Sequence, residues 1–140
     1  MIRLFHVFVL VFVAVTGLMS LSASAQTPDS ILAAIKNEAK NSTPSFQGFS
    51  AERGVRFYKQ THGKELSCAS CHTENPAASG KHSKSGKIIQ ALAPAANAER
   101  FTDPAKVEKW FKRNCNDVLS RACTPQEKGD VLSYLFGISK

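Results

Sequence analysis

The sequence predicts a small all-α domain of about four helices. Three observations lead to this prediction. Apolar residues recur at helical spacing in four segments, capping residues precede those segments, and no segment shows the strict alternation typical of a β-strand. The length of 140 residues allows one domain and hardly two.

The first 25 residues are predicted to be a signal peptide and not part of the fold. Arg3 precedes an apolar run over residues 4–15, and the small-residue sequence Ala-Ser-Ala follows at 23–25. Cleavage after Ala25 leaves 115 residues and predicts export to a bacterial periplasm. An uncleaved membrane anchor is the alternative, because the run over 4–21 is nearly long enough to span a bilayer.

The first two helices are predicted from their start signals. Thr27 followed by Pro28 begins the first helix, with Thr27 as the cap, and residues 41–47 form a loop. Ser50 caps the second helix, which runs to about Thr61. This second helix is predicted to cross the last one.

The remaining elements follow a long loop. Residues 63–101 are rich in Gly, Ser, Pro and Ala, with a short helical stretch predicted at 87–92. An Asp-Pro pair at 103–104 begins the third helix, which is predicted to end near Asn114. A capping box at 124–127 begins the last helix. A loop of this length is unusual and predicts a group for it to wrap.

Composition narrows the function classes. The formal charge is +7, but an exported protein rarely meets nucleic acid, so an acidic protein partner or a bound anion is the better interpretation. No phosphate-binding glycine pattern and no membrane span beyond the leader is found in the sequence. Only 21 of the 115 mature residues are Ile, Leu, Val or Phe, too few for a charged chain to form a core easily.

The sequence Cys-Ala-Ser-Cys-His at 68–72 is typical of covalent haem attachment. Cys68 and Cys71 add to the two vinyl groups of one haem c, and His72 then lies under the iron as the proximal ligand. A redox dithiol would follow a strand in a βαβ unit, and a zinc site would need a second ligand pair with better spacing than Cys115 and Cys123.

The haem accounts for the thin core and the long loop. The predicted fold is therefore a class I-like cytochrome c fold, wrapped round one covalently bound haem. Gly54 is predicted to permit a close approach to Tyr134 where the second and last helices cross. Trp110 and Phe111 are predicted to face the haem.

The second axial ligand cannot be Met in the mature chain, because Met1 and Met19 both lie in the leader. Common electron-transfer cytochromes c use Met at this position. His62 and His82 remain as candidates, and either would give a simple electron carrier. His82 lies in a basic segment at 79–87 that is suited to docking an acidic redox partner.

Cys115 and Cys123 are predicted to form a disulfide, since the exported chain meets an oxidising compartment. The closed loop is short, so its entropic stabilisation is moderate. Its main role is predicted to be fixing the segment that follows the third helix.

Several further segments are distinctive when taken together: they are FSAERG at 49–54, CASCHT at 68–73, ALAP at 91–94, RFTD at 100–103, VEKWF at 107–111, RNCN at 113–116, CT at 123–124 and EKGDVL at 127–132. With these segments the sequence resembles the oxygen-binding c-type cytochromes related to sphaeroides haem protein (SHP). The resemblance covers 49–138, so the predicted organisation is a signal peptide at 1–25, an N-terminal helix and linker at 26–48, and a monohaem cytochrome c domain at 49–140.

The resemblance implies His72 as proximal ligand and a distal asparagine beside the first cysteine of a disulfide loop, which falls on Asn114. Asn116 is the less favoured alternative. A neutral amide is a weak ligand, so we expect reduction to release it and open a site for oxygen, nitric oxide or carbon monoxide. The family also implies electrons from a dihaem cytochrome c.

Three hypotheses follow, with no catalytic residue assigned. The first is a haem protein that binds oxygen or nitric oxide, and whether it turns these ligands over as an oxidoreductase stays open. The second is an electron carrier with a distal histidine. The third is a haem-independent adaptor or metal-binding module.

Overall fold

The computed structural model describes residues 26–63 and 65–139, so the predicted signal peptide lies outside the described residues. Within these residues, none of the helices combines the length and apolarity that crossing a membrane requires. The helix-dominated architecture confirms the predicted all-α class. In chain order the elements are α1 (Pro28–Ser42), α2 (Ala51–Lys59), α3 (Ala69–His72), β1 (Gly80–Lys81), β2 (Ile88–Ile89), α4 (Pro104–Leu119) and α5 (Pro125–Phe136).

The four longer helices begin at the predicted caps. Thr27, Ser50, Asp103 and Thr124 each accept a hydrogen bond from the backbone N–H three residues further on. At α5 the capping box is complete, because the Glu127 carboxylate also accepts from the backbone N–H of Thr124 at 2.8 Å. Each cap satisfies an N–H that the helix itself cannot pair.

Helix α4 extends further than the sequence predicted. It continues to Leu119 instead of ending near Asn114, and Ser120 ends it in the left-handed conformation at φ 62°. Val118 and Leu119 line the same cavity as Asn114, so they extend one apolar face beyond the expected end. The tendency of Asn to end helices is weak, and packing of that face overrides it.

The long loop contains a small hairpin, so the prediction of no strand and the helical stretch predicted at 87–92 are both wrong. Strands β1 and β2 pair antiparallel, with Gly80 opposite Ile89. Gly86, at φ 68°, supplies the left-handed residue of the turn, and two β-branched residues form β2. A side chain at Gly80 would overlap the Cys71 carbonyl, so the hairpin packs directly on α3.

The core forms where α1 and α2 pack on α5. A Cβ atom on Gly54 would overlap the Asp130 carbonyl and lie 3.0 Å from the Cβ of Tyr134, which confirms the predicted close crossing of α2 and α5. Helix α1, inside the predicted segment at 26–48, contributes to the same core. The buried core residues are Ile31, Ile35, Val107 and Leu132 in one cluster and Tyr58, Val131 and Leu135 in the other.

Asp130 is a buried carboxylate that joins α5 to the start of α2. Its oxygens accept hydrogen bonds from the Ser50 backbone N–H at 2.7 Å, from Arg53 Nε at 2.8 Å and Nη2 at 2.9 Å, and from Gln126 Nε2 at 3.0 Å. A carboxylate removed from water is tolerated only when its lone pairs are satisfied in this way. The network therefore fixes how α2 meets α5.

We expect Asp130→Ala to lower the free energy of unfolding by about 3 kcal/mol, because it removes the buried carboxylate that accepts all four part-buried hydrogen bonds. Urea denaturation followed by circular dichroism measures the change. Glu52→Ala is the matched control, since Glu52 pairs with Arg56 at 2.6 Å on the exposed face of α2. That variant should change stability by less than about 0.5 kcal/mol. Equal losses in the two variants would contradict a special role for Asp130.

Candidate haem site

A single cavity of about 670 Å³ brings together most of the residues that the sequence singled out. It lies between α2, α3, the hairpin, α4 and α5, and apolar side chains such as Phe57, Leu92 and Leu135 form much of its wall. A cavity of this size and character is typical of a cofactor site. The predicted site residues that line it are Cys68, Cys71, His72, His82, Asn114, Cys115 and Cys123, together with Trp110 and Phe111.

The short helix α3 holds the two thiols and His72 at this cavity. Two reciprocal hydrogen bonds fix the start of α3. The Ser67 backbone N–H donates to the Ser70 hydroxyl at 3.0 Å, and the Ser70 backbone N–H donates to the Ser67 hydroxyl at 3.1 Å. Thr73 ends it with φ 64°. The buried Tyr58 hydroxyl donates to the Thr73 carbonyl at 2.9 Å, which ties this turn to α2. Sequence reasoning missed Tyr58, since its contact with Thr73 depends on the tertiary structure.

The two motif thiols do not have the character of a redox dithiol. Both are free, and burial raises the pKa of the Cys68 thiol to about 11. At neutral pH Cys68 is therefore protonated, whereas reactive cysteines have lowered pKa values in electropositive surroundings. A Cys68 thiol that stays protonated does not favour disulfide exchange.

His72 has the protonation state that an iron ligand needs. Burial, and to a smaller extent the positive charge of Arg100, lower the pKa of its imidazole to about 4. The ring is thus neutral at pH 7 and keeps a lone pair on one nitrogen.

Helix α4 carries the candidate distal ligand Asn114. Trp110, Phe111 and Asn114 share one face of α4 at helical spacing and all line the cavity. Asn114 is also exposed to solvent, so it lies at the edge of the cavity. Cys115 and Cys123 form a disulfide, which joins the last turns of α4 to the start of α5. Asn116 is not among the residues that line the cavity.

The two histidine candidates differ in position. His62 lies outside the cavity lining, with its ring against Phe57 at 4.8 Å and its Nε2 3.1 Å from the Phe57 carbonyl oxygen. His82 lines the cavity, but its Nδ1 accepts a hydrogen bond from the Ser85 backbone N–H at 3.1 Å. In the neutral ring the proton then sits on Nε2, so Nε2 is a donor and not a ready metal ligand.

The residues fit a covalently bound haem c. Two thiols and a neutral imidazole follow one another on one turn, and they border an apolar cavity. The alternative of a zinc site has no support, since no group of three or more His, Cys, Asp or Glu side chains converges in the part of the chain that the structure describes.

Comparison with known proteins points the same way. Residues 44–135 match the family described as a domain of unknown function, DUF1924. Over 108 residues the chain is 44% identical to cytochrome c'' of Methylophilus methylotrophus, covering 74% of this chain and 75% of that protein. The chain belongs to the cytochrome c''–SHP family.

The SHP branch of the family is also similar. The chain is 48% identical over 89 residues to the cytochrome c-type protein SHP of Cereibacter sphaeroides, covering 61% of this chain and 68% of that protein. The solved structure of oxidized SHP, an oxygen-binding cytochrome c, has a TM-score of 0.70 and 38% identity, covering 79% of this chain and 96% of that chain. The resemblance noted in the sequence is confirmed.

Family membership establishes the class of protein. A member of the cytochrome c''–SHP family is a c-type cytochrome and carries haem c through covalent bonds. The sequence contains one Cys-x-x-Cys-His motif, so the chain is a monohaem cytochrome. The hypothesis of a haem-independent adaptor is thereby set aside.

Proposed function

We propose that this chain is a periplasmic monohaem cytochrome whose iron is held by His72 and by a displaceable Asn114, and which binds oxygen or nitric oxide once reduced. The observation that carries the proposal is that His72 and Asn114, on α3 and α4, line one cavity together with both motif cysteines. The likeness to SHP, an oxygen-binding cytochrome c, supports a small gaseous ligand.

The residues of the Cys-x-x-Cys-His motif would bind the haem. Cys68 and Cys71 form the two thioether bonds, and His72 donates the lone pair that its lowered pKa leaves free. Tyr58 keeps the end of α3 in place through the Thr73 carbonyl. The haem, when bound, would supply an iron that accepts one electron and binds small ligands.

Asn114 would hold the iron of a bound haem only weakly. An amide oxygen carries no formal charge and is a poorer donor than imidazole, so its hold on a reduced iron would be weaker still. Because Asn114 is exposed at the cavity edge, its side chain can turn outward without disturbing the core. The Cys115–Cys123 disulfide restrains the adjacent backbone, so rotation of the side chain is sufficient for the change.

Electrons come from a redox partner, for which the family resemblance suggests a dihaem cytochrome c. Lys84, Lys87 and Lys106 are exposed and lie along the cavity wall. Positive charge at this edge steers an acidic partner to the side of the protein where the haem lies. The hairpin that carries Lys84 and Lys87 packs on α3, so a partner bound there is close to the attachment motif.

The test is the effect of Asn114→Ala on the ferric protein. If Asn114 occupies the axial position in nine molecules of ten, its removal should raise the apparent affinity for added imidazole about tenfold. Optical titration measures this affinity. The reduced wild-type protein should bind carbon monoxide readily.

His82→Ala is the matched control, because His82 also lines the cavity. It should leave the ferric spectrum unchanged. A change of spin state in His82→Ala and none in Asn114→Ala would instead favour the electron carrier with a distal histidine. A reduced protein that stays low-spin and does not bind carbon monoxide would reject the open site altogether.

A further inference from the structure

Arg100 is a half-buried cation in the cavity wall. Its Nε donates to the Ala91 carbonyl at 2.9 Å, and its Nη2 donates to the Gln90 carbonyl at 2.8 Å. These two bonds hold the guanidinium in one place, but a carbonyl oxygen carries no full charge. Across residues 26–63 and 65–139, none of the ion pairs includes Arg100.

A charged guanidinium that is partly withdrawn from water is stabilised when another group supplies negative charge beside it. Burial lowers the pKa of the Arg100 guanidinium, which means that its surroundings disfavour the charged form. Cations withdrawn from water are normally paired with an anion. Of its five N–H groups, the two backbone bonds use two, and three remain for a further acceptor.

The acceptor that is missing belongs to the cavity. Arg100 lines the same cavity as Cys71 and His72, so it faces the space beside the attachment motif. The other cations of the wall differ from it, because they are exposed: they are Lys84, Lys87, Lys106 and Arg113. Arg100 is thus the cation of this wall that is both partly withdrawn from water and fixed in position.

We propose that Arg100 binds a carboxylate inside the cavity and that this carboxylate is a propionate group of the haem. The inference rests on the haem site proposed above. The planar guanidinium fork matches a carboxylate in geometry as well as in charge. A covalently held haem keeps its propionates in the cavity at all times, so their effective concentration far exceeds that of a free anion.

The pairing has two consequences for the protein. It ties the loop at 90–100 to the edge of the haem, since Arg100 bonds to Gln90 and Ala91 at the same time. It also places a fixed positive charge near the iron, which favours the reduced form. Arg100 is therefore a binding and positioning residue for the haem, separate from the axial ligands.

The experiment compares Arg100→Gln and Arg100→Lys with the wild-type haem-loaded protein. Redox-induced infrared difference spectra should show altered carboxylate bands in both variants, because neither keeps the guanidinium fork. The equilibrium constant for reduction should fall about tenfold in Arg100→Gln, which is about 59 mV for one electron. Arg100→Lys retains the charge and should lose less. If Arg100→Gln does not fold, the infrared bands of Arg100→Lys still test whether Arg100 binds a propionate.

Lys106→Gln is the matched control, since it removes an exposed wall cation paired with Asp103 at 3.4 Å. Its carboxylate bands should match those of the wild type. Unchanged bands in both Arg100 variants would overturn the proposal. So would a potential that responds to added acetate or phosphate in the wild type but not in Arg100→Gln, since that result would assign a free anion. These bands do not depend on Asn114, so failure of the distal-ligand test is distinguishable.

Discussion

Replacing both Cys68 and Cys71 by Ala is expected to abolish haem attachment and most of the native helical signal. The haem-loaded wild type and the variant, both exported with the haem maturation machinery, are compared by far-ultraviolet circular dichroism. The physical reason is the cavity of about 670 Å³ that these cysteines border. Without its occupant, α3, α4 and the hairpin lose the group on which they pack.

The magnitude is large. A haem in this cavity would cover apolar side chains such as Phe57, Leu92 and Leu135, and each such side chain contributes about 1.5–3 kcal/mol when it is fully buried. A domain has only about 5–15 kcal/mol of stability. Loss of several of these contacts is therefore comparable to the whole stability of the domain, and the chain has few other apolar residues to compensate.

The control for this variant is the Cys115→Ala, Cys123→Ala protein, which also removes two cysteines. It loses only the disulfide, at a cost of about 2–3 kcal/mol, and should keep its haem and its helical signal. Full native helicity in the colourless Cys68→Ala, Cys71→Ala variant would show that the haem is not part of the core.

Gly54→Val is expected to destabilise the protein by more than about 3 kcal/mol, or to prevent folding. A Cβ atom at this position would overlap the backbone carbonyl of Asp130, and backbone cannot move aside as the end of a flexible side chain can. Helices α2 and α5 would have to separate, which would break the contacts of Arg53 with Asp130 as well. Thermal and urea denaturation measure the loss.

Gly63→Ala is the matched control for the crossing. A Cβ atom on Gly63 would meet nothing within 4 Å, and its φ lies outside the left-handed region. Its stability should stay within about 1 kcal/mol of the wild type. If Gly54→Val were as stable as Gly63→Ala, the close approach of α2 and α5 would not be a requirement of the fold.

Local signals explain why much of the fold could be predicted. Each helix cap depends on residues three positions apart, so Thr27, Ser50, Asp103 and Thr124 could be recognised without tertiary information. The hairpin could not, because β2 pairs with a strand eight residues earlier and its position depends on Gly80 packing against α3.

The candidates for the distal ligand also came partly from the sequence and partly from the tertiary structure. The sequence left His62 and His82 open on chemistry alone, and a family resemblance was needed to add Asn114 and Asn116. The structure places Asn114 and His82 at the cavity, but neither His62 nor Asn116 lines it. Arg100 lies in the RFTD segment that matches the family, but its proposed role could not be predicted, because that role depends on partial burial in the cavity wall without an ionic partner.

The sequence by itself determined the covalent chemistry of this protein. A Cys-x-x-Cys-His motif and the loss of both methionines with the predicted leader are matters of residue identity and order, which no fold is needed to read. The tertiary structure alone decided which side chains share the haem cavity and which cation there is half-buried and held in position. Those properties depend on distances between residues far apart in the chain, and packing of α4 and the long loop sets those distances.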